Sequence, residues 1–80
     1  MRAIVRFSVD NEANGLLRNQ LNPILTGAGF QMRLNTATYE ANGIPEDDLG
    51  HALEDFWTTA SQHLGPGRVD HFWMYTDRDN

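Results

Sequence analysis

Eighty residues suffice for one small domain, and the absence of cysteine excludes disulfides, thiolate metal sites and cysteine nucleophiles. Eleven acids against six arginines, with no lysine, give a net charge of −5, which opposes nonspecific coating of nucleic acid but leaves room for a focused cationic patch. No apolar run approaches the ~20 residues that span a bilayer, and no signal-peptide pattern opens the sequence, so a cytoplasmic protein with no membrane contact is expected.

Residues 2–9 alternate. Ala3, Val5, Phe7 and Val9 share one side, and Arg2, Ile4, Arg6 and Ser8 the other, which predicts a strand with one apolar face. From about Glu12 to Thr26, Ala13, Leu16, Leu17, Leu21, Ile24 and Leu25 recur at helical spacing. Pro23 is expected to kink or weaken the last turn, and Gly27 and Gly29 to stop it. Asp10 falls between the two patterns. Asp10-Asn11-Glu12 ahead of a helical stripe is ordinary capping chemistry, so a helix cap is the leading expectation and a metal ligand the alternative.

Residues 30–41 read as extended, with Met32, Leu34, Thr38 and Tyr39 in a β-favouring context. A bend at Asn35-Thr36 would divide them into two short antiparallel strands. Asn42-Gly43 is a turn signal. Ile44-Pro45 and the acids Glu46, Asp47 and Asp48 then open a second helix. Its stripe is Leu49, Ala52, Leu53, Phe56, Ala60 and Leu64, and Gly65-Pro66-Gly67 ends it. Residues 68–76 form a last strand, apolar or aromatic on both faces, which is expected to lie centrally or at an interface. The order β-α-β-β-α-β, with right-handed crossovers, predicts an α+β ferredoxin-like sandwich with two helices on one face of an antiparallel sheet. A domain this small, with one sheet face bare, is expected to self-associate as a homodimer.

In residues 33–40, RLNTATYE, the positions Arg33, Leu34, Asn35, Ala37, Thr38, Tyr39 and Glu40 are in register with a family strand pattern, and ILTGAGF matches a helix exit. In these stretches and in element order the chain resembles the small CRISPR-associated endonuclease subunit of the adaptation complex and the related virulence-associated protein D (VapD) ribonucleases. The resemblance implies a homodimer with its active site across the two-fold axis, where one Asp per subunit near the end of the first strand binds a divalent metal, Mg²⁺ or Mn²⁺. That acid follows an aromatic residue in the family, whereas the matching pair here is Phe7-Ser8. A hydroxyl does not replace a carboxylate as anchor for a hard cation. Asp10, two residues later and on the same side of the strand, is the available substitute. The resemblance therefore implies a degenerate, noncatalytic relative with a binding or regulatory role in a toxin–antitoxin or mobile-element setting. Its enzymatic alternative is a metal-dependent endoribonuclease, with Asp10 supplying charge for water activation and Arg6 or Arg33 contacting phosphate.

Other residues offer weaker sites. Asp47, His51, Glu54 and Asp55 lie within two turns of one helix and suit either a metal or a solvated acidic face. His63 is expected near the end of that helix, where a cation favours the dipole. Ser8 and Ser61 show no base partner, so a hydrolase triad is not expected. Arg2 and Arg6, joined by Arg33, are expected to share the open sheet face with His71, Trp73 and Tyr75. That face would be a stacking platform for unpaired RNA bases or the contact surface for a protein partner, with the core of a homodimer as the leading expectation for Trp73 and Tyr75. A third reading is a small oxygenase or ligand-binding domain whose pocket is lined by Trp57, His71 and Trp73.

Overall fold

The computed structural model describes residues 1–10, 15–33 and 38–78. Its elements are β1 (Arg2–Asp10), α1 (Leu16–Gly27), β2 (Gln31–Met32), β3 (Thr38–Ala41), α2 (Glu46–Gln62) and β4 (Arg68–Asp77). The strands form one sheet in the order β2-β3-β1-β4, and every neighbouring pair is antiparallel. The chain is thus α+β, with a four-stranded antiparallel sheet and two helices, an arrangement compatible with a ferredoxin-like fold. No helix among the described residues is long and apolar enough to cross a membrane.

Residues 30–41 hold two strands, with Gln31 paired to Glu40 and Met32 to Tyr39. The expected bend at Asn35-Thr36 lies outside the described residues. Of the two positions expected for the last strand, central or at an interface, the central one is overturned. β4 is an edge strand, and the inner strands are β1 and β3. The apolar residues on both sides of β4 reflect a half-covered inner side and an uncovered outer one, not burial between neighbours.

Helix α1 starts later than its apolar pattern suggests. Its N-cap is Gly15 at φ 67°, and no side chain caps it. Asp10 is instead the last residue of β1, because β4 continues to pair that far and sets Arg68 opposite it. The capping expectation for Asp10 therefore fails. Leu17, Leu21 and Leu25 are buried at four-residue spacing, whereas Leu16 is exposed; Ala13 lies outside the described residues. The helix runs through Pro23, which leaves the Asn19 carbonyl without its usual amide donor. It ends in a Schellman turn. Gly29 takes φ 105°, its N–H donates to the Thr26 carbonyl at 3.1 Å, and the Phe30 N–H donates to the Leu25 carbonyl at 3.0 Å.

In α2, Pro45 is the N-cap rather than part of the first turn, which holds Glu46, Asp47 and Asp48. Leu49, Ala52 and Phe56 are buried, and Leu53 and Ala60 pack partly against the core. Leu64 departs from the expected stripe and is 97% exposed, because the chain turns extended at His63. His63 is the C-cap residue of α2, at the helix end where it was expected. It is buried, and its Nε2–H donates to the Pro66 carbonyl at 3.0 Å, closing the Gly65–Gly67 loop.

Ala3 and Val5 of β1 lie opposite Ala41 and Tyr39 of β3. These residues and Phe7 share one core with Leu17, Leu21 and Leu25 of α1 and Leu49 and Phe56 of α2. Both helices therefore cover the same sheet face. The Phe56 ring lies edge-on to Phe7 at 5.1 Å and 5.2 Å from Phe72. Removing such a buried ring costs about 3–5 kcal/mol, a large part of the ~4–12 kcal/mol expected for a domain of this length. The Tyr39 hydroxyl donates to Asn22 Oδ1 at 2.9 Å, tying β3 to α1. Phe72 lies opposite Phe7 and Met74 opposite Val5, so these two β4 residues face the helices. His71, Trp73 and Tyr75 are left on the bare side.

Candidate binding face of the sheet

Strand alternation fixes the open face row by row. Arg2 stands opposite Asp77, Ile4 between Glu40 and Tyr75, Arg6 between Thr38 and Trp73, and Ser8 opposite His71. Arg33 joins from the far side, its N–H bonded to the Thr38 carbonyl and its guanidinium paired with Glu40. The sequence-predicted set Arg2, Arg6, Arg33, His71, Trp73 and Tyr75 is thus brought to one surface.

Two of the three arginines are neutralised in place. Arg2 donates to Asp77 at 3.2 Å, approaches Glu40 at 3.9 Å, and lies 5.8 Å from the Tyr75 ring centroid. Arg33 shares Glu40. Arg6 is exposed and has no acidic partner among the described residues. Asp70, against His71, adds a third carboxylate to these rows, so the three arginines are balanced in number, while Arg6 itself forms no ion pair among the described residues. The acids of α2, namely Glu46, Asp47, Asp48, Glu54 and Asp55, are all exposed on the other side of the molecule, where that helix carries no arginine.

Trp73 and Tyr75 lie side by side with their ring planes 14° apart and centroids 6.3 Å apart. They are 51% and 42% exposed, so two nearly parallel rings meet solvent, with the Arg2 guanidinium over Tyr75 and Arg6 opposite Trp73 in the strand register. A concavity of ≈ 570 Å³ follows the β1–β4 seam here, lined among others by Arg6, Ser8, His71 and Trp73.

Register supplies a contact that sequence reading missed. Ser8 Oγ is 3.4 Å from His71 Nδ1, and the same nitrogen lies 2.8 Å from Asp70 Oδ2. Ser8, expected to lack a base partner, has an imidazole beside it because the β1–β4 register runs unbroken from Arg2–Asp77 to Ser8–His71 and shifts only beyond that pair, between Ser8 and Val9. A relay is nevertheless absent. Nucleophile and orienting carboxylate must engage opposite ring nitrogens, and here both meet Nδ1.

Asp10 is exposed at the end of β1. Among the described residues no group of three or more His, Asp or Glu is placed to hold a metal ion, and Asp47, His51, Glu54 and Asp55 remain on an exposed helix face. The pocket expected from Trp57, His71 and Trp73 does not form. Trp57 packs on Phe56 and Phe72 at 5.1 and 5.0 Å, on the helix side, while His71 and Trp73 lie on the other side of the sheet. No family model, curated protein or solved structure matches the chain.

Proposed function

We propose that the chain is a ferredoxin-like binding domain that takes single-stranded RNA on its open sheet face, without itself cleaving it. The observation that carries this reading is the exposed, nearly parallel Trp73–Tyr75 pair on the same face as Arg6, which has no acidic partner among the described residues. Flat rings stack on unpaired bases whatever the sequence, and a guanidinium beside them meets the phosphate that links two bases. The five exposed acids of α2 support the same orientation, since they repel a polyanion from the helix side. The β-α-β-β-α-β order and the resemblance to the VapD and CRISPR-associated nucleases agree with a binding role in a toxin–antitoxin or mobile-element setting. The test is fluorescence anisotropy of a labelled unstructured oligoribonucleotide. Trp73→Ala removes a stacking ring worth about 1–3 kcal/mol, so affinity falls roughly 5- to 150-fold. Equal affinity for wild type and variant contradicts the reading.

A further inference from the structure

The outer edge of β4 is built unlike an edge that avoids partners. The strand is ten residues long, pairs only with β1 and contains neither proline nor lysine; its charges and its bulge lie towards the ends, so from His71 to Thr76 it presents an open row of backbone donors and acceptors. The exposed apolar side chains gather at the same place. Trp73 and Tyr75 flank it on the open face, and Met74 and Trp57 on the helix face. An uncovered backbone edge with apolar groups above and below it is the form of half an interface.

We propose that this edge pairs with the β4 of a second copy, antiparallel about a two-fold axis at Met74, giving a continuous eight-stranded sheet. The register follows from side-chain complementarity. With Met74 opposite its own copy, Trp73 lies opposite the second copy's Tyr75, Phe72 opposite Thr76 and His71 opposite Asp77, each contact occurring twice. Side chains that share a face then stay together, as antiparallel pairing requires. Centring the axis on Trp73 sets Arg68 against Arg78, and centring it on Tyr75 sets Asp77 against Trp73 and Arg78 against Phe72. Only the Met74 register of these three joins aromatic to aromatic and imidazole to carboxylate. The pairing leaves the open face free and aligns the two Trp73–Tyr75 pairs across the axis. It stands independently of nucleic-acid binding.

The chain has no cysteine, so single introduced thiols report the register directly. Directly opposed residues lie about 4.5–5.5 Å apart between Cα atoms, within disulfide range. The wild-type chain is expected to sediment as a dimer at micromolar concentration. Met74→Cys is expected to form a disulfide-linked dimer on mild oxidation, and Thr76→Cys to do so far more slowly. Met74→Lys, which sets two cations face to face, is expected to yield a folded monomer whose urea unfolding matches wild type extrapolated to the monomer. A wild type that stays monomeric overturns the proposal, as does crosslinking at position 76 as fast as at 74. Oligonucleotide anisotropy on the Met74→Lys monomer separates this pairing from binding at the open face.

Discussion

Arg6 and Trp73 stand directly opposite each other on β1 and β4, the one exposed without an acidic partner and the other half exposed. Because Arg2 and Arg33 are already held by Asp77 and Glu40, Arg6 is the guanidinium most available to a phosphate. Binding at this face therefore predicts a shallow salt dependence. The slope of log K against log[salt] should be about −0.7 to −2 for one to three phosphate contacts on a single strand. Arg6→Gln should flatten it by about 0.7, with Trp73→Ala leaving the slope unchanged while lowering affinity. Titrations at several salt concentrations check both.

Asp10 separates binding from cleavage. It ends β1 opposite Arg68, and the expected cap of α1 falls to Gly15. Asp10→Asn is therefore expected to leave RNA affinity unchanged, and millimolar Mn²⁺ to leave the Ser8–Asp10 amide signals sharp. Broadening at those amides that Asp10→Asn abolishes would make Asp10 a ligand and restore metal-assisted cleavage.

Two glycines with opposite roles test the local architecture. Gly29 holds φ 105° in the turn that ends α1, so any side chain there is strained despite open space around it. Gly29→Ala is expected to destabilise by about 1 kcal/mol or more. Gly50 lies within α2, and a Cβ there meets nothing within 4 Å. Gly50→Ala should stabilise by about 0.5–1 kcal/mol through helix propensity alone. Urea unfolding of the two variants reads the opposed signs.

Burial pushes the Tyr39 phenol above its ordinary value, and the Arg18 guanidinium nearby opposes this in part. A raised folded-state value means that the native state holds its proton more tightly than the unfolded chain does. The associated stability is fully present below the ordinary phenol range and is lost as pH rises through the folded-state value. Stability is therefore expected to be insensitive to Tyr39 at neutral pH and to fall under alkaline conditions. Tyr39→Phe should weaken that alkaline fall, while losing about 0.5–1.5 kcal/mol at neutral pH with the bond to Asn22.

Much of the fold was legible because β1 carries its answer in alternation. Ala3, Val5 and Phe7 are apolar and their neighbours mostly polar, so its buried side follows from period alone. The glycine exit of α1 was legible from turn chemistry, whereas residues 30–41 read equally as one strand or two until the pairing of Gln31 with Glu40 and Met32 with Tyr39 decides it. β4 was not, because Phe72, Trp73, Met74 and Tyr75 offer no polar side. Which pair meets the helices is decided by register with β1, where Phe72 lies opposite Phe7. Leu16 and Leu64 mark the limit of helical periodicity, since helix ends are set by Gly15 and His63 backbone geometry and not by the stripe. On the open face, residue types were readable, but the neutralisation of Arg2 and Arg33 was not. It depends on Glu40 and Asp77 arriving from other strands, and it singles out Arg6.

The two tryptophans provide the most direct test of the open face, because Trp73 lies on it and Trp57 packs against Phe72 on the helix side. An NMR titration of the full chain with an unstructured oligoribonucleotide follows both indole N–H signals and the backbone amides together. Binding on the open face predicts that the Trp73 indole and the amides of Arg6, Trp73 and Tyr75 shift with saturation, while the Trp57 indole and α2 stay in place. Shifts centred on Trp57 and α2, or no shift anywhere at millimolar oligonucleotide, would contradict it.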